Sequence, residues 1–282
     1  MFEVITHSDP AAFLAHAEPW LLTKEDQHNL VLSLAHGRLA SGEVEPDSFW
    51  AVIEENGAVV GCAMRTPPHK VLVTEFPLEA TGHLLRALLD RYPEIPAVLG
   101  PADSAEAVAM AWVEARGGGW RPGMEQGVYR LDSVVWPEGV SGSLRVARST
   151  DIDRAVRWGE GFSRDAGVQF PTARSTVQRW IDGGFLHMWD DQDVPVSNAV
   201  AHGFTPGGVR VGYVYTPPVH RKRGYASACV AALSQKMLDS GRQFCVLYTD
   251  RWNPTSNAIY RAVGYELIAE VCDYDLFPED AF

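Results

Sequence analysis

The spacing of hydrophobic and polar residues predicts two similar series of strands and helices. Residues 49–66 form two apolar runs around Asn56-Gly57, and this dipeptide between such runs predicts a β-hairpin. A strand at 70–76, a leucine-rich helix at 78–92 and a short buried strand "AVLGP" follow. A helix ended by glycines and the strand "MEQGVYRL" complete this first series.

The second series repeats that order from its hairpin onward. It starts with the strand "LRVARS", followed by helices within 151–182, a hairpin with a polar tip at 185–203 and the alternating strand "GVRVGYVYT". A helix ended by Gly241, the buried strand "QFCVLYTD", a short helix near Asn253 and a final strand pair within 265–276 come next. The shared order predicts a structural repeat at the scale of a domain.

Residues 133–143 mix turn-forming residues without a clear period, which predicts an interdomain linker. We therefore expect one domain at 1–132 and another at 144–282. A length of 282 residues fits two domains of ordinary size.

The composition narrows the class of protein. The formal net charge of −12 argues against nucleic acid and anionic membranes as partners and suits a cationic substrate. Four scattered cysteines without a CxxC pair predict buried, reduced thiols in a cytoplasmic protein. The N-terminus lacks the pattern of a signal peptide, and no apolar stretch is long enough to cross a bilayer.

One basic turn stands out in this acidic chain. Arg221, Lys222, Arg223 and Gly224 lie directly before the helix of the second series. A helix N-terminus presents free N–H groups and a positive dipole end, so this turn predicts a phosphate site. The chain has neither GxxxxGK[ST] nor a GxGxxG after a strand, which excludes the two common nucleotide loops.

The spacing Arg221-x-x-Gly224-x-Ala226 resembles the pyrophosphate loop of the GCN5-related N-acetyltransferases (GNAT). Residues 247–266 resemble the family's second cofactor segment, with Asn253, Ser256 and Tyr260 in the expected order. The resemblance covers roughly 144–276, whereas the first half has no basic glycine loop and looks like a degenerate copy. It implies a mixed α/β (α+β) fold class with two GNAT-like domains. Each would have a mostly antiparallel sheet with helices on both faces, and the second would hold coenzyme A between splayed strands.

The resemblance also implies which residues contact acetyl-CoA, the cosubstrate. Backbone groups of one strand would pair with the pantetheine amides, while loop amides and the Arg221 side chain would bind the diphosphate. Many members have a second glycine where Lys222 stands, a change that leaves the backbone amides in place. The implied cofactor residues are Val214, Tyr215, Thr216, Arg221, Lys222, Arg223, Gly224, Tyr225, Ala226, Asn253 and Ser256. As alternatives, "GYVYT" is an ordinary strand and Asn253 only caps its helix.

Tyr260 is the implied general acid that protonates the leaving thiolate. A thiol has a pKa of about 8.5 and a tyrosine about 10, so a neutral tyrosine is a competent donor. Alternatively, Tyr260 simply packs on the sheet. The base stays open among His202, Tyr213 and Asp250, and Val219 stands where relatives often have glutamate.

The resulting expectation is acetyl transfer to a primary amine, by direct attack in a ternary complex. The acceptor would be a small molecule or peptide, bound near Phe162, Asp165, Phe170 and Trp180, and the protein a monomer or homodimer. The alternative is a non-catalytic acyl-CoA-binding or regulatory protein. We expect no metal, because Asp191 and Asp193 belong to a hairpin tip, where aspartate favours turns.

Overall fold

The computed structural model describes residues 1–42, 47–167 and 173–279. The chain divides into two compact units that are not simply its two halves. The first unit comprises Met1–Val128, Asp250–Trp252 and Ile268–Phe282, and the second comprises Tyr129–Thr249 and Asn253–Leu267.

Both series of elements have the same order: strand, two helices, hairpin, strand, helix, strand, helix, strand. The first series is β1 Phe2–His7, α1 Pro10–Leu21, α2 Asn29–Ser41, β2 Phe49–Glu55, β3 Ala58–Arg65, β4 Val71–Val73, α3 Thr81–Arg91, β5 Ala97–Gly100, α4 Ala102–Arg116 and β6 Gly119–Leu131. The second is β7 Ser143–Val146, α5 Ile152–Ala166, α6 Arg174–Asp182, β8 Leu186–Asp191, β9 Val194–His202, β10 Gly208–Tyr215, α7 Tyr225–Asp239, β11 Phe244–Asp250, α8 Pro254–Val263 and β12 Glu266–Phe277. The predicted repeat is confirmed, and it extends to the N-terminal strand and helices.

The sheet of the first unit is covered by helices on both faces. Its strand order is β1-β2-β3-β4-β5-β12-β6, with only the β4–β5 pair parallel among the registered pairs. Because side chains alternate along a strand, β2 feeds two cores. Phe49, Ala51 and Ile53 pack with α3 and α4, while Trp50 and Val52 pack with α1 and α2.

The sheet of the second unit follows the same plan, in the order β11-β10-β9-β8-β7. Helix α7 packs on one face, where Cys229, Val230 and Leu233 are buried with Val209 and Val211 of β10. Helices α5 and α6 pack on the other face, against Met188 and Tyr213. These mixed α/β units confirm the predicted fold class.

Two sequence predictions about strands need correction. Residues 265–276 do not form a strand pair but one continuous strand, β12, whose part from Ile268 belongs to the first unit. Its antiparallel partner there is β5, for example through Cys272 opposite Gly100. Strand β4 covers only Val71–Val73 instead of 70–76.

Residues 133–142, most of the predicted linker, have no helix or strand, and they pack within the second unit. The Val135 amide donates to the Val263 carbonyl at 2.8 Å, and the Trp189 Nε1–H donates to the Ser141 carbonyl at 3.0 Å. The domain boundaries at 132 and 144 stay a prediction.

All four cysteines, Cys62, Cys229, Cys245 and Cys272, are buried and free, as the sequence predicted. Among the described residues, no helix has the length and apolar character needed to cross a membrane.

Gly100 is required by a close contact in the first unit. A Cβ placed there would lie 2.4 Å from the Val73 carbonyl oxygen, which is backbone of the neighbouring strand β4. We expect Gly100→Ala to lower the free energy of unfolding by about 1–3 kcal/mol through overpacking. Gly37→Ala, inside α2 with nothing within 4 Å, should raise it by about 0.5–1 kcal/mol. Chemical denaturation measures both changes in the free energy of unfolding. Equal changes in the two variants would contradict the close contact assigned to Gly100.

Candidate functional site

Strands β10 and β11 of the second unit separate part-way along their length. Their parallel register covers Gly208, Val209 and Arg210 of β10 and then ends. The register of β10 with β9 shifts between Gly212 and Tyr215, where Tyr213 has φ 52°. A positive φ at a bulky residue marks a bulge. The remainder of β10 therefore leaves an open gap on its β11 side.

Side chains of β9 occupy the other side of this bulge. Asn198 Nδ2 donates to the Tyr213 carbonyl at 2.7 Å, and Ser197 Oγ donates to the Tyr215 carbonyl at 3.1 Å. Backbone groups of successive strand residues point to opposite sides, so Val214 faces the gap. Among the predicted pantetheine residues, Val214 therefore has the available backbone groups, while the Tyr215 carbonyl is already occupied.

A short turn connects β10 to α7 and contains two left-handed residues, Lys222 with φ 62° and Gly224 with φ 78°. The first intrahelical bond of α7 runs from the Ala228 amide to the Gly224 carbonyl. In the part of the chain that the structure describes, the six amides of 222–227 have no hydrogen-bond acceptor. Residues 222–224 are exposed, and successive amides at a helix N-terminus are an arrangement that suits an anion.

Gly224 cannot be replaced without distortion, for two reasons. Its φ lies in the left-handed region, and a Cβ there would lie 2.7 Å from Cγ2 of Val140, a residue of the predicted linker. Lys222 adopts the same backbone region without being glycine. The turn thus keeps the conformation that a second glycine would favour.

The Arg221 side chain has protein partners in this structure. Its Nε donates to the Thr216 carbonyl at 2.9 Å, and its Nη2 donates to the Asp165 carboxylate at the end of α5. The guanidinium lies 5.7 Å from the ring centroid of Tyr215. The sequence did not predict this ion pair, since its residues are 56 positions apart.

Asp191 supports the turn from the β8–β9 hairpin. The Tyr225 hydroxyl donates to Asp191 Oδ2 at 2.5 Å, which fixes the first residue of α7. The same hydrogen bond lowers the pKa of the Asp191 carboxyl. Gln192 and Asp193 both have positive φ, so the hairpin tip is the turn that the sequence predicted. No group of metal-binding side chains occurs among the described residues.

Helix α8 begins as its sequence predicts. Asn253 is the N-cap, its Oδ1 accepts from the Ser256 amide at 3.1 Å, and Pro254 is the first helical residue. Oδ1 already accepts the cap hydrogen bond, and the Nδ2 group is the donor that Asn253 could offer to a cofactor.

Tyr260 lies half-buried on α8, with its ring edge-on to Tyr265 at a centroid distance of 6.1 Å. The Tyr265 hydroxyl pairs with Ser234 at 2.8 Å, whereas the Tyr260 hydroxyl has no partner among the described residues. Burial raises the pKa of Tyr260 to about 12, so it is protonated at neutral pH.

None of the three base candidates is placed as a free base. Burial lowers the pKa of His202 to about 3, with the nearby Arg210 charge adding to the effect. The Tyr213 hydroxyl donates to the Ala155 carbonyl, and burial raises its pKa. Asp250 Oδ1 accepts from the Trp252 amide at 2.9 Å.

The predicted acceptor residues are only partly brought together. Phe162 and Trp180 both contact the Tyr213 ring, with centroids 5.9 and 5.2 Å away. Asp165 is engaged with Arg221, and Phe170 lies outside the described residues. The aromatic residues thus pack against β10 on its α5–α6 face.

A family model described as "FR47-like protein" matches residues 193–273, which contain every predicted cofactor residue. The fold is similar over 96% of this chain and 94% of a GCN5-related N-acetyltransferase from Sphaerobacter thermophilus (18% identity, TM-score 0.61). A GNAT acetyltransferase from Colwellia psychrerythraea gives 12% identity, a TM-score of 0.58 and coverages of 98% and 99%. A tandem GNAT protein from the clavulanic acid biosynthesis pathway is 13% identical with a TM-score of 0.53, and the match covers 97% of this chain and 98% of that one. No curated protein sequence matches.

The chain has a tandem GNAT fold. The β10–β11 gap and the turn before α7 belong to the second of the two GNAT-like copies, which is the second series of elements. The corresponding stretch of the first copy, between β4 and α3, carries Glu75 and Glu79 instead of basic residues, and Glu75 pairs with Lys24. Phe76 is buried there and Gly100 lies against Val73. The first copy therefore lacks both the cationic turn and the open gap.

The two interpretations of Asn253 can be separated by substitution. Asn253→Ala removes the cap acceptor of α8 and should lower the free energy of unfolding by about 1 kcal/mol. Asn253→Asp keeps the acceptor and should restore most of that stability. If Nδ2 also binds the pantetheine arm, coenzyme A affinity stays reduced in Asn253→Asp; recovery of both properties would show a cap alone. Chemical denaturation and calorimetric titration measure the two effects.

Proposed function

We propose that this protein is an acetyl-CoA-dependent N-acetyltransferase whose second unit binds the cofactor. The acetyl group would pass to a primary amine of a small molecule or peptide by direct attack in a ternary complex. The observation that carries the proposal is the run of six amides at 222–227 that have no acceptor among the described residues, at the start of α7 and after the strand that borders the gap.

The turn suits a diphosphate for electrostatic reasons. Free amides and the helix dipole favour an anion, and the side chains of Lys222 and Arg223 add positive charge to an otherwise acidic chain. Val214 offers backbone groups to an extended chain lying in the gap, in the manner of an added strand. Together they match the two amide groups and the diphosphate of coenzyme A.

Two residues are proposed to assist the chemistry. The thioester supplies the acetyl group, and a backbone amide near Tyr215 would stabilise the oxyanion that forms on attack by the amine. Tyr260 would then protonate the departing thiolate, a role that suits its raised pKa and its hydroxyl, which has no partner in the described part of the chain. The acceptor ammonium would lose one proton to water before the attack, and the proton that leaves its nitrogen after the attack would return through water to the Tyr260 phenolate.

A non-catalytic acyl-CoA-binding protein is the second candidate. The placement of His202, Tyr213 and Asp250 favours it, because each is buried or already engaged. The monomeric or homodimeric state, the cytoplasmic location and the cofactor residues named above belong to the same proposal.

Substitution of the turn tests cofactor binding. Gly224→Ala should weaken binding of coenzyme A at least tenfold, because the new Cβ meets Val140 and strains the left-handed backbone. Lys222→Gly should relieve strain and change the affinity by less than about fivefold, since it removes one exposed charge only. Calorimetric titration measures both. A wild-type chain that is folded and binds no coenzyme A would refute the proposed function.

Substitution of the acid tests catalysis. Tyr260→Phe should lower kcat at least 100-fold in a thiol-release assay with a panel of amines, aminoglycosides and peptide N-termini. Coenzyme A affinity should stay within twofold, because the ring and its packing remain. Thiol release from no acceptor, together with tight cofactor binding, would favour the second candidate. Undiminished turnover in the variant would remove Tyr260 from the mechanism.

A further inference from the structure

The groups around the Arg221 side chain favour a positively charged partner. Its guanidinium rests between the Asp165 carboxylate, the Thr216 carbonyl and the face of Tyr215. The Tyr215 hydroxyl is also directed toward Asp165 Oδ2, at 3.4 Å. A carboxylate, a carbonyl and an aromatic face around one point are the usual partners of a positively charged group.

This ion pair is easily exchanged. The side chains of Arg221 and Asp165 are 43% and 35% exposed, and ion pairs at such exposure contribute little to stability. Arg221 also lies directly before the amides of 222–227, which form the proposed diphosphate site. A diphosphate bound there offers the guanidinium two negative charges in place of one.

We propose that Asp165 and the diphosphate of coenzyme A compete for Arg221, and that the vacated place then binds a cationic group of the acceptor. This inference rests on the proposed function. When Arg221 turns to the diphosphate, Asp165 Oδ2 and the Tyr215 face lose this cation. Among the described residues, Asp165 then keeps only the exposed Arg164 as a cationic partner, whose Nε lies 3.9 Å from Oδ1. Trp158, whose ring centroid lies 6.4 Å from that of Tyr215, gives the vacated place an aromatic border.

The chemistry of the acceptor follows from this arrangement. The amine that attacks a thioester must be neutral at the moment of attack, so it cannot remain the partner of Asp165. The group held there is then a second, non-reacting ammonium or guanidinium. The acceptor class is an amine with at least two cationic groups, and it binds more tightly after the cofactor.

The experiment measures coupling between two ligands, with no turnover required. The protein is titrated with 1,4-diaminobutane at about 0.15 M ionic strength, with and without saturating coenzyme A. We expect coenzyme A to strengthen diamine binding about two- to fivefold, which is the size expected of an exposed ion pair. By linkage, the diamine should strengthen coenzyme A binding by the same factor.

Asp165→Asn is the decisive variant. It should bind coenzyme A about two- to fivefold more tightly than the wild type, because the competitor is gone, and it should lose the coupling. Asp153→Asn is the matched control, since Asp153 lies on the same helix and pairs with the exposed Arg174, away from the turn. It should leave both the cofactor affinity and the coupling unchanged.

The outcomes separate this inference from the proposed function. A wild-type chain that binds no coenzyme A overturns both. Normal binding of coenzyme A with equal diamine affinity in its presence and absence overturns this inference alone. So does coupling that persists in Asp165→Asn, or weaker cofactor binding in that variant, which would show that Asp165 only supports the turn.

Discussion

Unpaired backbone groups are the constraint on which the second unit depends. Buried or partly buried N–H and C=O groups are costly to leave without partners, at about 1–3 kcal/mol each. Here β10 loses its β11 partner after Arg210, and the six amides of 222–227 follow in the same connection, where water reaches the exposed residues 222–224. Ser197 and Asn198 satisfy the carbonyls on the β9 side only. What remains unpaired is therefore gathered on one side, next to the start of α7.

The first unit has the same element order but a different connection after β4, the strand equivalent to β10. Its equivalent connection places Phe76 in the core, and the Glu75 carboxylate pairs with Lys24. Gly100 of β5 packs directly on Val73 of β4, so the two strands have no room for a ligand between them. The two units thus share the element order, while the basic turn belongs to the second unit. Core burial on both faces of β2 accounts for the retained fold without any ligand.

Local features of the sequence predicted most of the architecture. The Asn56-Gly57 hairpin, the Asn253 N-cap and the duplicated element order depend on residues close together in the chain, and the structure confirms them. The missed features are contacts between distant residues. Tyr225 and Asp191 are 34 positions apart, and the assignment of β12 to the first unit depends on its pairing with β5. Hydrophobic periodicity carries no information about which sheet a strand joins.

The backbone conformation of Lys222 shows that neighbouring residues fix the turn before α7. A left-handed backbone is unfavourable by roughly 1–2 kcal/mol for a residue with a Cβ, yet Lys222 adopts it. The surroundings must compensate, and the Tyr225–Asp191 hydrogen bond and the packing of Val140 on Gly224 are the contacts that fix the turn from either side. A turn fixed in this way would lose little conformational entropy on binding an anion. The geometry thus belongs to the folded second unit, and the identity of residue 222 contributes mainly its charge.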